Sequence, residues 1–330
     1  MKIAFFSTQP YDRIFFDKYN KDYGFEIDYF ETHLGPHIAG IVKDAGAVCA
    51  FVNDKLSAPV LETLAANGVK WVALRCAGFN NVDREAAERL GIRVCRVPAY
   101  SPEAVAEHAL AMILTINRKT HKAYNRVREQ NFSLNGLLGY NLSGKTVGVI
   151  GTGKIGRSFI KIVQGLGCNV LAFDLYPDEG LKDVSYVSLD ELLKHADIIS
   201  LHCPLTEENH YLINRETIDM MKTGVTIVNT SRGGLINTAD IIEALKNKKV
   251  GSLCIDVYEQ EEKLFFRDLS ASIIEDDNIQ RLMSFPNVLI TAHQAFFTEE
   301  ALSEIAQTTL DSISRLSEGT MPDKSPVMLV

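Results

Sequence analysis

Side chains that could share one reaction follow three apolar, strand-like segments in the second half of the chain. Arg232 comes just after one such segment, Asp256 and Glu261 follow the next, and His293 follows the third. A guanidinium can hold a carboxylate through two parallel hydrogen bonds. An imidazole can give or take a proton near neutral pH, and a neighbouring carboxylate can position it. This set would suit proton and hydride exchange with a small 2-keto acid.

Each of these residues has a structural interpretation as well. A single histidine at the end of a strand is more often structural than catalytic. An arginine flanked by serine and glycine, as Arg232 is, is poorly explained as a solvated surface charge. Because open α/β sheets bind their ligands at the carboxyl ends of the strands, complementary groups at three such ends favour an active site.

A glycine motif in a strand-to-helix context indicates a dinucleotide site. Residues 151–156 read Gly-Thr-Gly-Lys-Ile-Gly, after a buried-strand sequence and before a helical pattern. Gly151 permits the tight turn, Gly153 lets backbone N–H groups approach a pyrophosphate, and Gly156 allows the helix to pack close to the sheet. In this context the motif is far more specific than the glycine spacing alone.

The acidic residue expected after such a motif is Asp174, which lies 18 residues beyond Gly156. Its carboxylate can accept hydrogen bonds from both ribose hydroxyls and would repel a 2′-phosphate. Leu175 and Tyr176 supply no cation for that phosphate. The sequence therefore predicts NAD rather than NADP as the cofactor.

Composition excludes several classes of protein. The 330 residues suggest two domains, and the net charge of −8 argues against a nucleic-acid partner. The six cysteines form no CxxC pair and no histidine completes a zinc-like spacing, so we expect free thiols, no metal site and a reducing cytoplasm. The first residues do not resemble a signal peptide, and no run of about 18 apolar residues predicts a membrane span.

Strand-like and helical segments alternate along the whole chain, which predicts an α/β fold with parallel sheets. A turn at 98–103 leads into a long helical arm, 104–128, read as one helix or two closely joined ones, and this turn is the candidate crossing between domains. The segment 259–286 reads as a charged, irregular connection. The predicted strands are 3–6, 47–52, 71–74, 93–97, 146–150, 169–173, 198–202, 225–229, 252–255 and 288–291, and the main predicted helices include 60–67, 81–90 and 298–318.

The motifs at 229–233, 256–261 and 293–296 closely resemble the D-isomer-specific 2-hydroxyacid dehydrogenase family, over essentially the whole chain. The resemblance implies that Arg232 holds the substrate carboxylate, that His293 transfers the proton, and that Glu261 favours its imidazolium form. Glu259 is the nearest competitor to Glu261, although the spacing from Asp256 favours Glu261. Further contacts implied for the substrate are Ala77, Gly78 and Tyr100, and those implied for NAD are Lys154, Ile155, Cys203, Pro204, Asn209, Thr230, Ser231 and Asp256. Phe51 and Phe297 are plausible walls of the substrate pocket.

The family fold consists of two Rossmann-like domains with a cleft between them. This implies a discontinuous, flavodoxin-like substrate domain, 1–100 and 298–330, and an NAD-binding domain, 101–297. Segments 75–83, 97–108 and 201–206 resemble the fermentative bacterial members that interconvert pyruvate and D-lactate. The alternatives are another D-2-hydroxy acid as substrate, or a non-catalytic NAD(H)-sensing protein like the corepressors of this family. The apolar arm 101–128 predicts a homo-oligomer, dimer or tetramer.

Two other histidines have structural interpretations. His108 lies in an apolar helical segment and is expected to be a hydrogen-bonded core or interface residue. His202, directly after a predicted strand, is expected to pack near the adenosine of the cofactor.

Overall fold

The computed structural model describes residues 1–178, 180–322 and 324–330. Its contacts divide the chain into two compact units. Unit 1 comprises Met1–Ser101 with Phe296–Val330, and unit 2 comprises Pro102–Ala295. Within the described ranges, no helix is both long and apolar enough to cross a membrane.

Unit 1 is built on a five-stranded sheet in the order β2-β1-β3-β4-β5, with every neighbouring pair parallel. This is the flavodoxin-like order, in which ligands bind where the strand order reverses, next to β1 and β3. The strands are β1 Lys2–Phe5, β2 Glu26–Tyr29, β3 Ala47–Ala50, β4 Trp71–Leu74 and β5 Arg93–Arg96. The helices are α1 Pro10–Asn20, α2 Ala58–Ala66, α3 Arg84–Arg89 and, from the end of the chain, α11 Glu299–Glu318.

The central strands of unit 1 are apolar throughout because helices cover both faces of the sheet. All four residues of β3 are buried, and Val48 and Val72 share a core with Leu61 and Leu64 of α2. The last residues of the chain join the edge of this sheet, where Cys95 forms an antiparallel bridge.

Unit 2 contains a seven-stranded parallel sheet in the order β12-β11-β10-β9-β6-β7-β8. Counted within the unit, this is the 3-2-1-4-5-6 order of a dinucleotide-binding sheet, with one further strand. The strands are β6 Thr146–Ile150, β7 Asn169–Phe173, β8 Ser185–Tyr186, β9 Ile198–Leu201, β10 Val225–Asn229, β11 Val250–Ile255 and β12 Val288–Ile290. The helices are α4 Pro102–Arg118, α5 Thr120–Arg128, α6 Lys154–Gly165, α7 Leu189–His195, α8 Arg215–Met220, α9 Thr238–Lys246 and α10 Asp277–Ser284.

The predicted fold class is confirmed, since both sheets are parallel and both belong to doubly wound α/β units. The predicted long arm consists of two helices. α4 ends at Arg118, and Lys119 adopts a left-handed conformation with φ of 51° before α5 begins. Met112 and Ile113 of α4 are buried in the core of unit 2, which accounts for much of the arm's apolar character without a partner subunit.

The segment 259–286 is more regular than predicted. It contains a short 3-10 turn at Glu261–Lys263 and the helix α10, whose first turn is capped by the side chain of Asp276. Ile279 and Leu282 of α10 are buried against the core. Two buried side chains on a short charged helix were too weak a pattern to predict it.

Candidate active site

The turn between β6 and α6 has no room for side chains at its first and last glycines. Gly151 has a φ of +94°, and a Cβ atom there would lie 2.5 Å from the Cys203 backbone nitrogen. A Cβ atom on Gly156 would lie 2.0 Å from the carbonyl oxygen of Gly151. At Gly153, just before the first helical residue Lys154, an added Cβ would meet no described atom within 4 Å. Protein atoms therefore fill the space beside Gly151 and Gly156, whereas the space beside Gly153 is open.

Helix α6 points its first backbone N–H groups into this turn. Its first residues are Lys154 and Ile155, and the first turn contains no acidic side chain. Free N–H groups and the positive end of the helix dipole favour a phosphate here. Phe159, Ile160 and Val163 are buried on the other face of the helix and hold it against the sheet.

Asp174 follows β7 and accepts hydrogen bonds on both carboxylate oxygens. Its Oδ2 accepts from the Thr152 backbone N–H at 2.5 Å and from the Thr152 hydroxyl at 2.9 Å, while Oδ1 accepts from the Tyr176 N–H at 2.9 Å. Partial burial alone would raise the pKa of Asp174, but these hydrogen bonds hold it below its usual value. Arg157 is occupied by Asp178, at 2.7 Å. An ionised Asp174 suits ribose hydroxyls and opposes a 2′-phosphate.

The other predicted cofactor residues lie at the ends of the adjacent strands β9 and β10. The Ser231 hydroxyl donates to the Cys203 carbonyl oxygen at 2.5 Å, and the Asn209 amide donates to the Pro204 carbonyl oxygen at 2.7 Å. The hydroxyl of Thr230 is buried and has no hydrogen-bond partner among the residues that the structure describes. A buried hydroxyl without a partner, after β10 of the same sheet whose strand β6 leads into the glycine turn, is a group that a bound NAD could satisfy. The residues present fit this cofactor.

His202 packs behind the glycine turn and is not available for proton transfer. A Cβ atom on Gly156 would lie 3.6 Å from the Cβ of His202, whose ring centre is 4.9 Å from that of Phe159. Burial lowers the pKa of His202 to about 3, so the ring is neutral near pH 7. Its Nε2 is 2.8 Å from the Ser200 hydroxyl.

Arg232 lies directly after β10 in a loop that is held by Asn229. The Asn229 amide donates to the Arg232 carbonyl oxygen at 2.8 Å, and its side-chain oxygen accepts from the Ser231 N–H at 3.0 Å. The Arg232 guanidinium donates only to the Ser231 carbonyl oxygen, at 2.7 Å, and no described carboxylate lies within 4.0 Å of it. This partly buried fork is therefore free to bind an incoming carboxylate.

His293 and Glu261 form a hydrogen-bonded pair. The Nδ1 atom of His293 lies 2.9 Å from Glu261 Oε1, and the two side chains are 19% and 18% exposed. The other carboxylate oxygen of Glu261 accepts from the Tyr258 backbone N–H at 2.9 Å. With Nδ1 donating to this carboxylate, Nε2 is the nitrogen that can carry a proton to a substrate.

Glu259, the alternative to Glu261, is bound elsewhere. Its carboxylate accepts a hydrogen bond from the Tyr211 hydroxyl at 2.8 Å. Only Glu261, of these two residues, contacts the imidazole of His293.

Asp256 holds the turn that carries His293. Its carboxylate is completely buried and accepts from the backbone N–H groups of Gln294 at 2.9 Å and Ala295 at 2.8 Å. Its carbonyl oxygen accepts from the N–H of His293 at 2.8 Å, and His293 has a φ of 54°. These hydrogen bonds hold His293 in its left-handed conformation. The carboxylate of Asp256 is enclosed by protein and restrains this backbone, and its contact with the cofactor stays a prediction.

In unit 1, the predicted substrate residues Ala77 and Gly78 follow β4 in a short turn. The Arg96 guanidinium donates to the Ala77 carbonyl oxygen at 2.8 Å, and the Cys76 thiol donates to the Gly78 carbonyl oxygen at 3.3 Å. The two backbone N–H groups of this turn donate to no other residue in the described parts of the chain. They are therefore free to bind an anion.

Aromatic rings form a second feature of unit 1. Phe296 lies 6.1 Å from Tyr100, 6.5 Å from Phe51 and 6.1 Å from Phe297 between ring centres. Phe51 stacks on the buried guanidinium of Arg75, at 4.7 Å. The predicted pocket walls Phe51 and Phe297 therefore belong to one cluster with Tyr100, and sequence reasoning missed its central member, Phe296.

A known protein family matches the part of the chain that carries most of these features. The sequence profile of the family "D-isomer specific 2-hydroxyacid dehydrogenase, NAD binding domain" matches residues 110–295. This range includes the glycine turn as well as Arg232, Glu261 and His293.

Known proteins resemble the chain over its whole length. It is 53% identical to the D-lactate dehydrogenase of Escherichia coli, covering 98% of this chain and 99% of that one. The structure of a pyruvate reductase from Chlamydomonas reinhardtii is 42% identical, with a TM-score of 0.93 and 98% of each chain covered. A D-lactate dehydrogenase from Aquifex aeolicus, solved with NAD and lactic acid, is 34% identical, with a TM-score of 0.86 and 99% of each chain covered.

Proposed function

The chain belongs to the family of D-isomer-specific 2-hydroxyacid dehydrogenases, and on this premise we propose that it interconverts pyruvate and D-lactate with NAD as cofactor. The observation that carries the proposal is the His293–Glu261 pair, at 2.9 Å, in the same unit as an arginine with no described carboxylate partner. These are the groups that reduction of a 2-keto acid requires.

Each of these side chains has a distinct part in the proposed reaction. Arg232 binds the carboxylate of pyruvate through its guanidinium fork. His293, as imidazolium, donates the proton on Nε2 to the keto oxygen, and Glu261 stabilises the positive charge before that transfer. When bound, NADH would supply the hydride that reduces the carbonyl carbon. In the reverse direction, neutral His293 takes the proton from the hydroxyl group of D-lactate.

We propose that unit 1 supplies further substrate contacts. The free N–H groups of Ala77 and Gly78 suit a carboxylate, and the ring of Tyr100 suits the apolar side chain of the substrate. The cluster of Tyr100 with Phe51 and Phe296 is bulky, which favours a methyl group over a large side chain.

A panel of 2-keto acids tests this choice of substrate. With NADH in excess, we expect kcat/KM for pyruvate to exceed that for phenylpyruvate and for 2-ketoisocaproate by at least about 10-fold. The rate is followed at the nicotinamide absorbance. A higher kcat/KM for either bulky acid would contradict the assignment to pyruvate while leaving the family reaction intact.

Asp174 provides a test of the preference for NAD. Asp174→Ala removes the acceptor for the ribose hydroxyls, so we expect KM for NADH to rise by about 10- to 100-fold. The preference for NADH over NADPH should fall, because the repulsion of the 2′-phosphate is lost as well. Asp190→Ala, which removes an exposed carboxylate from α7, is the matched control. An unchanged ratio of the two kcat/KM values would overturn the role of Asp174.

We also propose that the protein is a homo-oligomer, dimer or tetramer, in the cytoplasm. Since much of α4 is buried in unit 2, the interface is assigned to α5 and the segment after it, where large apolar side chains are exposed. These side chains are Tyr124, Val127, Phe132, Leu134 and Leu138. Sedimentation at micromolar concentration should give a multiple of 36.6 kDa, and a monomer would contradict it.

All six cysteines are free, which suits a reducing compartment such as the cytoplasm. Cell fractionation tests this location.

A further inference from the structure

His108 lies in α4, whose first residue is also the first of unit 2, and it contacts the strand end that leads to His293. Its Nε2 atom lies 3.1 Å from the Thr291 hydroxyl and 3.5 Å from Asp256 Oδ1. The side chain is 16% exposed, and that of Asp256 is completely buried. The contact joins residues 183 positions apart, so sequence spacing gave no sign of it.

The direction of these hydrogen bonds follows from the number of protons available. The Thr291 hydroxyl lies 2.5 Å from Asp256 Oδ1 and has one proton, which it donates to this carboxylate. Its oxygen is then an acceptor toward His108, so His108 carries a proton on Nε2. His108 therefore donates to Thr291, and Thr291 donates to the carboxylate of Asp256.

Asp256 connects this series of hydrogen bonds to the turn that carries His293. Its Oδ1 accepts from both Thr291 and the Gln294 N–H, and its Oδ2 accepts from the Ala295 N–H. Burial would raise the pKa of Asp256, but the hydrogen bonds from His108, Thr291 and the two backbone N–H groups lower it below its usual value. A completely buried carboxylate stays ionised only with such partners.

We infer that His108 is a positioning residue for His293, acting through Thr291 and Asp256. His293 has a left-handed backbone, and its imidazole must face Glu261 with Nε2 toward the substrate. Without the donor at His108, the carboxylate of Asp256 loses part of its support, and the turn at 291–295 relaxes. Hydrogen-bond partners that orient metal-bound histidines change activity by about 10- to 100-fold when they are removed, and we expect an effect of the same size here. This inference rests on the proposed role of His293.

Two polar substitutions of matched character separate positioning from simple packing. His108→Gln places an amide N–H where Nε2 stands, whereas His108→Asn is one methylene shorter and cannot reach Thr291. We expect His108→Asn to lower kcat by about 10- to 100-fold with little change in KM for NADH. His108→Gln should restore most of kcat. His195→Asn, which alters an exposed histidine in α7, is the control and should leave kcat unchanged.

Coupling to Thr291 is tested with a double-mutant cycle. Thr291→Val should lower kcat, and the variant that combines it with His108→Asn should be no worse than the more damaging single substitution. Fully additive losses would overturn the proposed chain of hydrogen bonds. A native kcat in His108→Asn would also overturn it, as would equal losses in His108→Asn and His108→Gln.

The same series must include His293→Ala, so that the two proposals can fail separately. If His293→Ala is inactive while His108→Asn is like the wild type, only the role of His108 is wrong. If His293→Ala keeps near-native activity, the assignment of the active site is wrong and the effect of His108 needs another explanation. Circular dichroism melting of each variant shows whether it is folded at the assay temperature.

Discussion

Replacing His293 with alanine is expected to lower kcat for pyruvate reduction by about 10²- to 10⁴-fold, the usual range for loss of a general acid. The imidazole is the only group hydrogen-bonded to Glu261 through a side chain among the described residues, so no second acid stands in its place. Because the glycine turn and Asp174 lie elsewhere in unit 2, binding of NADH should be retained. Stopped-flow measurement of a single turnover separates the chemical step from product release.

The control for this prediction is His195→Ala, which removes a histidine that is paired with Glu191 on the surface of α7. It should behave like the wild type. Near-native kcat in His293→Ala would contradict the assignment of the acid. Loss of NADH binding in the same variant would show that the substitution disturbs more than proton transfer.

The second large effect is expected at Arg232. Arg232→Lys keeps the positive charge but replaces a planar fork with a point charge, so the carboxylate of pyruvate loses one hydrogen bond. A hydrogen bond to a charged group is worth about 1.5–3 kcal/mol, which corresponds to a rise in KM for pyruvate of about 10- to 100-fold. Since this interaction is made with bound substrate as well as in the transition state, kcat should change less than KM.

Arg215→Lys is the matched control, because Arg215 lies on the surface and contacts Asp240 at 3.6 Å. Steady-state kinetics with varied pyruvate at saturating NADH gives both constants. An unchanged KM in Arg232→Lys would exclude a bidentate contact with the carboxylate. A fall in kcat alone would instead place Arg232 in the chemical step.

Much of the fold could be predicted because the chain alternates apolar strands with helices and marks their ends clearly. The strands at 71–74, 146–150, 169–173 and 225–229 have the predicted bounds. Most residues of β4, β6 and β10 are buried in a parallel sheet, so their composition is mainly apolar rather than alternating, whereas β7 buries only Val170 and Ala172 fully. The glycine motif also located the start of α6, because the turn leaves no room for a Cβ atom at Gly151 or Gly156.

Other elements gave no clear pattern. β2, Glu26–Tyr29, is an edge strand in which no residue is fully buried, so polar side chains interrupt its apolar pattern. The break between α4 and α5 occurs at Lys119, a residue type without any preference for the left-handed conformation it adopts. Neither glycine nor proline marks this point, so no local signal predicts it.

Some residues of the site could likewise be predicted from the local sequence, whereas their contacts depend on the tertiary structure. Arg232, Glu261 and His293 could be singled out because each follows a strand, and parallel strands end at one edge of a sheet. The family resemblance and the spacing from Asp256 favoured Glu261 over Glu259, but only the tertiary structure gives the hydrogen bond between Glu261 and His293. The contact of His108 with Thr291 depends on how α4 packs, so the sequence indicated only a hydrogen-bonded histidine.

An NAD(H)-sensing protein without activity is the alternative class of function. Such a protein would need the glycine turn and Asp174, but not a histidine held in a left-handed conformation beside a buried, fully bonded carboxylate. The presence of Arg232, Glu261 and His293 together, with His293 hydrogen-bonded to Glu261 at 2.9 Å, favours an enzyme over such a protein.

We propose that this chain reduces pyruvate to D-lactate with NADH. Chiral chromatography of the lactate formed from pyruvate and NADH tests it most directly. The isomer shows which face of pyruvate receives the hydride, and the amount of lactate can be compared with the NADH consumed. We expect the D isomer alone, in an amount equal to the NADH consumed. L-lactate, a racemic product, or NADH-dependent turnover of pyruvate that yields no lactate would contradict the account.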